Sequence, residues 1–472
     1  MKGTKVRAVS FSDIDIMIDQ ARSAMEEIAD ASQDRIDEIV KSVAWAVYRD
    51  DHARNLAEMA VFDTGLGNVV DKTIKNKRKS YGTLCDLMEV QTRGMCHADP
   101  ERGLYTYYKP VGVVGSLTPS TNPGATPANQ ALMALKGGNA IIISPSPAAA
   151  RTVRQLKLYF DEALMAIGAP TDLFQVIDAP ISLARAQYLS QAVDLILVTG
   201  DQNNVRIGYQ SGTPCIGVGK GNVPVIIDSS ADLSDAARKI ITSKTFDNST
   251  SCSSENALII LDEVYDEMLR ELQSAGGYLA SHEEVVLITE NLFKDGKVNR
   301  HAVGQDLDTL DRLFHLDGRT TGKRFIMVEE QGYGSKVPMS GEKLSLVLTV
   351  YRADSFSLAM DIVDGILEYE GVGHSVGVHT TSNANAHQLA ARTKVARVLV
   401  NQAHAFGNGG GMDNGLPFTL TMGCGTWAGN SISENMSIKN FVNKTVLVKT
   451  FHKHIPEAAD MFGARYDKTL DA

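Results

Sequence analysis

The chain opens on two stretches in which apolar residues recur every three or four positions. Ile14, Met17, Ile18, Ala21, Met25 and Ile28 share one face, and Ile36, Ile39, Val40, Val43 and Val47 share the next, so both read as amphipathic helices. Ser12 and Ser32 stand where N-caps are expected. A targeting or partner-binding tag would carry the same stripe, but packing on the chain's own domain is the simpler reading. From residue 111 the period changes. Short β-branched runs at 111–117, 140–143, 174–177, 195–198 and 225–227 alternate with helical segments, which predicts βαβ units and a parallel sheet. The clearest unit is a strand ending at Leu117, the turn Thr118-Pro119-Ser120-Thr121-Asn122-Pro123-Gly124, a helix closed after Lys136 by Gly137-Gly138, and a strand ending at Ile143. In open α/β sheets ligands bind beyond the carboxyl ends of the strands. Thr118 and Pro119 through Asn122, Ser144-Pro145-Ser146 and Thr199-Gly200 are therefore expected as neighbouring loops on one rim.

A second α/β section begins with a helical stretch at 231–244 and continues through strand-like runs at 258–261, 325–328, 346–350, 376–379 and 398–400. The run Gly407-Asn408-Gly409-Gly410-Gly411 ends it and reads as a flexible surface or active-site loop. No fixed-period repeat is visible, which speaks against a solenoid. The expected architecture is α/β, two domains with a terminal appendage.

Composition agrees with two cores: 472 residues, 43% of them hydrophobic, exceed what one ordinary core holds. A net charge of -10 argues against a nucleic-acid partner, which calls for clustered Lys and Arg. The local run Lys75-Asn76-Lys77-Arg78-Lys79 reads as a solvated face, with a phosphorylated ligand as the alternative. Five cysteines without CxxC pairs suggest a reducing compartment. No apolar run approaches the roughly 20 residues that span a bilayer, and no signal-peptide pattern opens the chain, so the expectation is a cytoplasmic protein without a membrane partner.

Cys252 lies in Asn248-Ser249-Thr250-Ser251-Cys252-Ser253-Ser254, between an expected helix and strand, where a loop can present a thiol to a cleft. Taken alone, a single cysteine is more often a small buried hydrophobe. Nothing matches a GxGxxG or Walker loop, and the histidines lack metal-ligand spacing, so no metal is expected. Asn122 before Pro123 suits a turn, and His374 in Gly371-Val372-Gly373-His374-Ser375 suits a structural histidine.

Taken in order, the Cys252 loop, Pro119-Ser120-Thr121-Asn122-Pro123, Leu197-Val198-Thr199-Gly200, Glu342-Lys343-Leu344-Ser345 and Leu420-Thr421-Met422-Gly423-Cys424-Gly425-Thr426-Trp427 resemble landmarks of the CoA-acylating branch of the aldehyde dehydrogenase superfamily. The match runs from about residue 10 to 450 and resembles the aldehyde dehydrogenase half of bifunctional aldehyde-alcohol dehydrogenases. The resemblance implies a Rossmann-like dinucleotide-binding domain over 1–230, a catalytic domain over 231–415, and a segment 416–472 that returns to the first domain and supplies an oligomerisation tail. It implies Cys252 as nucleophile, Asn122 as oxyanion donor and His374 as an aid to thiol deprotonation or substrate orientation. Glu342 matches the glutamate that holds the nicotinamide ribose. Thr118, Pro119, Ser144, Pro145, Ser146, Thr199 and Gly200 match the walls of the rest of the cofactor site, for NAD or NADP with NAD preferred.

Hydrolytic relatives carry a general-base glutamate where this chain reads Gly217-Val218-Gly219-Lys220-Gly221-Asn222, which points to coenzyme A in place of water as acyl acceptor. The hydroxyls of Thr250, Ser251 and Ser253 suit an anionic substrate tail. With Asn414-Gly415-Leu416-Pro417-Phe418-Thr419 they resemble acylating sulfoacetaldehyde dehydrogenases, which interconvert sulfoacetaldehyde and sulfoacetyl-CoA. Hydroxyls that only satisfy a tight loop would instead leave acetaldehyde or another short aldehyde. A phosphate-dependent acyl-phosphate reductase of the same fold and a non-catalytic dinucleotide-binding scaffold are the competing classes. The family also implies a homodimer or larger assembly, with a hairpin near Tyr105 and Lys109 and the tail near Val446 and Phe451 pairing between subunits.

Overall fold

The computed structural model describes residues 11–200 and 202–463. Four helices come first: α1 (Ser12–Glu27), α2 (Gln33–Tyr48), α3 (Asp50–Thr64) and α4 (Val69–Met88). The stripes of α1 and α2 pack into the first core, where Ile14, Ile36, Ile39, Val40, Val43 and Val47 are fully buried. Ser32 caps α2, its hydroxyl accepting from Arg35 N at 3.2 Å. Ser12 does not cap. It is the first helical residue of α1, and Phe11, stacked on Tyr188 with ring centroids 4.7 Å apart, fixes the entry by packing.

Helix α4 is turned the other way round. Its buried face carries Lys72, Lys75, Asn76, Lys79, Ser80 and Thr83, while Val70, Ile74 and Tyr81 are exposed. Only part of the basic run is the solvated face expected of it: Lys77 reaches out to Asp50, but Lys75 and Lys79 point inward. The interior accepts them because it supplies oxygen acceptors for their ammonium groups.

A hairpin, β1 (Met95–Asp99) and β2 (Leu104–Pro110), leads into a five-stranded parallel sheet. Its strands are β3 (Val113–Thr118), β4 (Ala140–Pro145), β5 (Phe174–Val176), β6 (Leu195–Thr199) and β7 (Cys215–Val218), in spatial order β5-β4-β3-β6-β7. Helix α5 (Ala125–Lys136) crosses from β3 to β4 and is buried along its whole length. The chain steps outward from β3 and then returns to its other side, so the carboxyl ends of β3 and β6 flank the point where strand order reverses.

The second sheet uses β8 (Val223–Ile227), β9 (Glu255–Leu261) and β10 (Gly277–Leu279). After a two-residue ribbon of β11 (Phe293–Lys294) and β12 (Lys297–Val298), it takes β13 (Phe325–Glu329), β14 (Val347–Ala353), β15 (Gly373–His379) and β16 (Val395–Val400). Seven strands pair in parallel in the order β10-β13-β14-β9-β8-β15-β16. Because β8 already belongs here, the chain changes sheets between Val218 and Val223, ahead of the boundary read from the sequence at residue 230.

The tail strand β17 (Val442–Val448) pairs antiparallel with β2, Val442 opposite Pro110 and Val448 opposite Leu104. Tail and hairpin, expected to pair between subunits, thus pair with each other inside one chain, and β17 remains an edge strand with Val446, Leu447 and Val448 exposed. The glycine run at 407–411, expected as a flexible surface or active-site loop, is buried. A Cβ at Gly409 would lie 2.7 Å from Lys79 Nζ and 2.6 Å from Thr419 O, so the glycine is there for close packing.

Candidate active site

A cavity of about 510 Å³ opens where the carboxyl ends of β3, β4, β6 and β7 face the loop before β9. It brings together Thr118, Pro119, Asn122, Ser144, Pro145, Ser146, Thr199, Gly200, Thr250, Ser251, Cys252, Glu342 and His374, all singled out in the sequence. Ser253 is the exception. It is buried behind the wall, with its hydroxyl accepting from Asn408 Nδ2 at 2.9 Å and directed at Met422 Sδ, because neighbouring residues of a tight loop cannot all face one side.

The nucleophile loop is held under backbone strain. After the helix Leu233–Thr245, three successive non-glycine residues take positive φ: Asp247 at 53°, Asn248 at 51° and Ser249 at 62°. Each such residue costs about 1 kcal/mol or more. Asp247 N donates to Asp71 Oδ2 at 2.8 Å, Asn68 N donates to Asp247 Oδ1 at 3.0 Å, and Asn248 Nδ2 donates to Gly304 O at 3.2 Å. The same Asp247 accepts from Lys72 and Lys75 through Oδ2, at 2.9 and 2.5 Å, and from Thr250 Oγ1 at 2.7 Å. A buried carboxylate thus ties α4 to the loop that carries Cys252. On the opposite side Gly221 gives the loop its room, since a Cβ there would lie 2.2 Å from Cys252 O and 2.9 Å from Cys252 Cβ.

Burial, followed by the nearby charges of Glu342 and Cys424, pushes the Cys252 thiol up to about 12, against a hydrogen bond with Ser253 and the positive charge of Arg397. At neutral pH Cys252 is a thiol and needs a base to become a nucleophile. His374, at the start of β15, lines the same cavity. Burial first, then the charge of Arg397, holds its pKa well below the usual histidine range, so the ring is neutral. Its Nδ1 lies 2.8 Å from Ser375 Oγ, which in turn lies 2.9 Å from His404 Nε2, and its own Nε2 has no partner. With Nδ1 donating to Ser375, Nε2 is a free acceptor. Arg397 fixes the ring's backbone by donating to His374 O at 2.9 Å and Gly423 O at 2.7 Å.

Asn122 sits in the turn between β3 and α5. Its Oδ1 accepts from Lys75 Nζ at 2.8 Å, which leaves the amide NH2 as the end available to a ligand, its one hydrogen-bond contact among the described residues being Thr121 Oγ1 at 3.4 Å. Glu342 is the only carboxylate among the described residues that line the cavity. Burial, then the charge of Glu370, raises its pKa to about 8. Its loop is locked by Glu342 N donating to Glu370 Oε2 at 2.8 Å and by Asn256 Nδ2 donating to Gly341 O at 2.6 Å and Asn222 Oδ1 at 2.6 Å. The terminal run closes the far wall with Leu420 and Met422, and Thr421 Oγ1 binds Gln130 Nε2 and Thr199 Oγ1 at 3.2 and 3.1 Å.

Sequence reasoning read Lys75 and Lys79 only as part of a solvated or phosphate-binding run and did not single out Lys72 or Asp247, whereas Lys72, Lys75 and Asp247 stand behind the nucleophile loop. The available signal was the spacing of Lys72, Lys75 and Lys79, at i, i+3 and i+7 on a helix whose other face carries Val70, Ile74 and Tyr81.

Comparison with known proteins agrees with this geometry. A model of the aldehyde dehydrogenase family matches residues 2–280. An acylating sulfoacetaldehyde dehydrogenase of Cupriavidus necator is 45% identical over 95% of this chain and 91% of its own length. The bifunctional aldehyde-alcohol dehydrogenase of Escherichia coli is 34% identical over 93% of this chain, which spans 49% of that larger protein. Among solved structures, an acetylating aldehyde dehydrogenase from Geobacillus thermoglucosidasius superposes with a TM-score of 0.90 at 32% identity, covering 94% of this chain and 98% of that one. The chain belongs to the aldehyde dehydrogenase family.

Proposed function

We propose that the protein is a CoA-acylating aldehyde dehydrogenase that oxidises sulfoacetaldehyde to sulfoacetyl-CoA through a thioester on Cys252. The observation that carries the reading is the convergence of Cys252, the Asn122 amide and the unpartnered His374 Nε2 on one cavity. Cys252 Sγ bonds to the aldehyde carbon as its proton is relayed through the unpartnered His374 Nε2 to solvent. Asn122 Nδ2 and the Cys252 N–H receive the negative charge that develops on the aldehyde oxygen, where each such donor contributes about 3 kcal/mol at the transition state. The residues present fit a nicotinamide dinucleotide: Thr118 Oγ1, Ser146 Oγ and Glu342 Oε1 are buried without partners in the walls of that cavity. When bound, the dinucleotide accepts the hydride that leaves the substrate carbon. Glu342 would hold its ribose, and Thr118, Ser146 and the Thr199-Gly200 turn its remaining polar groups. Among the described residues lining the cavity Lys220 is the only cation, and it is paired with Glu370 at 2.7 Å, so none of these lining residues offers a free Lys or Arg beside Ser144 and Ser146 to receive a 2′-phosphate. This favours NAD over NADP, which relative kcat/KM values for the two would test.

Coenzyme A is the acceptor in this reading because Val218, Gly219 and Lys220 line the cavity without a carboxylate, and Glu342, at about 8, is protonated near neutral pH. Among the described residues lining the cavity, the position that carries the general-base glutamate in hydrolytic relatives offers no carboxylate to activate water. The CoA sulfur then bonds to the thioester carbon, the bond from that carbon to Cys252 Sγ breaks, and the CoA thiol proton passes to the departing Cys252 sulfur, which restores its thiol. The name of the Cupriavidus relative supports both the acylating reaction and the substrate. Thr250 and Ser251 supply hydroxyls on the cavity wall. The exposed apolar edge of β17 supports a homodimer or larger assembly. The substrate assignment is tested by comparing kcat/KM for sulfoacetaldehyde and acetaldehyde with NAD and CoA; equal values would overturn it.

A further inference from the structure

Two buried imidazoles stand in line behind the cavity, joined by one hydroxyl. His374 Nδ1 lies 2.8 Å from Ser375 Oγ, and Ser375 Oγ lies 2.9 Å from His404 Nε2. All three side chains are buried. Of the three only His374 lines the cavity, and its Nε2 has no hydrogen-bond partner among the described residues. His404 opens the short helix His404–Gly407 and is held there by the backbone: His404 N donates to Glu255 Oε1 at 3.0 Å, and Ala405 N donates to Ser243 Oγ at 2.8 Å. Its ring is fitted against β15, where a Cβ in place of Gly377 would lie 3.1 Å from His404 Nδ1. Glu255 begins β9, three residues after Cys252, so the strand that follows the nucleophile loop also anchors the second imidazole.

The hydroxyl between the rings has one proton to donate, and this couples the two. Both rings are neutral: burial first, then the charge of Arg397, holds the pKa of His374 well below the usual histidine range and lowers that of His404 to about 3. A neutral imidazole carries one N–H and one bare nitrogen. Two arrangements satisfy both contacts of Ser375. In one, His374 Nδ1 donates to Oγ and the hydroxyl donates on to His404 Nε2, which puts both ring protons on Nδ1. In the other, His404 Nε2 donates to Oγ, the hydroxyl donates to His374 Nδ1, and both rings carry their proton on Nε2. The unpartnered His374 Nε2 decides between them. A buried N–H without an acceptor is rarer and more costly than a bare acceptor, so this nitrogen carries no proton and the first arrangement holds.

On the reading in which the Cys252 proton passes through His374 Nε2, we propose that His404, acting through Ser375, is a positioning residue that fixes His374 as its Nδ1–H tautomer. By accepting the hydroxyl proton at Nε2, His404 leaves Ser375 Oγ only its lone pairs, and His374 Nδ1–H is the donor that fills one of them. His374 Nε2 is thereby kept open toward the cavity as an acceptor. Without His404 the hydroxyl is free to turn its proton to His374 Nδ1 and the ring proton moves to Nε2. The thiol then meets a donor where it needs an acceptor.

The test reads the tautomer directly, from long-range proton–nitrogen correlation spectra of protein carrying isotope-labelled histidine, with the two rings assigned by loss of their signals in His374→Asn and His404→Leu proteins. Wild type should show both rings protonated on Nδ1. In His404→Leu the His374 proton should move to Nε2, and kcat for sulfoacetaldehyde with NAD and CoA should fall on the order of tenfold with little change in KM. His404→Gln, whose amide oxygen can accept the same hydroxyl proton, should restore both the tautomer and kcat. A His374 that stays protonated on Nδ1 in His404→Leu overturns the proposal. A shifted tautomer with unchanged kcat overturns instead the role of His374 in the reaction and leaves the coupling of the rings standing. The wild-type spectrum alone covers a variant that does not fold: either ring found with its proton on Nε2 overturns the proposal.

Discussion

Asn122 and Gly221 act on Cys252 by different routes, and their substitution separates chemistry from space. Asn122→Ala removes a donor to the developing oxyanion while its backbone turn remains, so kcat should fall by about 10²- to 10³-fold with a much smaller change in KM. Gly221→Ala places a methyl 2.2 Å from Cys252 O, and the loop must shift to admit it. Activity should drop while cofactor affinity, measured by fluorescence titration with NADH, holds. The thiol itself gives a pH signature. Because its pKa is pushed up to about 12, the thiolate fraction in the unliganded enzyme should rise about tenfold per pH unit from pH 7 to pH 10, and iodoacetamide alkylation of Cys252 should follow that slope. A plateau near pH 8 would show an activated thiolate instead. The Asn122 turn was expected at a strand end and the Cys252 loop between a helix and a strand, while the roles expected of both came from the resemblance to the family's landmarks. The inward lysines were not, because charge is read by default as a mark of solvent, and only the tertiary position of Asp247 reverses that.

The link between α4 and the nucleophile loop is the element on which the site depends most. Asp247 stands in the left-handed region, receives two lysines and one hydroxyl, and caps the strain of Asn248 and Ser249. Asp247→Ala leaves Lys72 and Lys75 buried without their carboxylate and should destabilise the fold by about 3 to 5 kcal/mol, read as a lowered midpoint in urea unfolding. Loss of less than about 1 kcal/mol would mean that water or rearranged carbonyls replace it. Helices α1 and α2 and most strands of both sheets were legible, since their burial follows period 3.6 or a continuous apolar run. Strand β7 was not, as Gly217 and the glycines after it hide its pattern, and the buried run from Gly407 carries no periodicity at all.

At the scale of the molecule, two parallel sheets meet so that the carboxyl-end loops of the first face the strained loop entering the second, and the cavity between them unites residues more than 200 positions apart in sequence, Asn122 and His374 among them. The pairing of β17 with β2 leaves an apolar edge. Replacing Val446 and Val448 with Lys should shift the sedimentation coefficient toward the monomer, while an unchanged value would place the subunit contact elsewhere. The central claim is that Cys252 forms a thioester released by CoA. The measurement that addresses it follows NADH absorbance with sulfoacetaldehyde and NAD, with and without CoA, in wild type and Cys252→Ala protein. The account predicts turnover that requires CoA and vanishes in the alanine variant; equal turnover without CoA, or activity surviving the loss of Cys252, would contradict it.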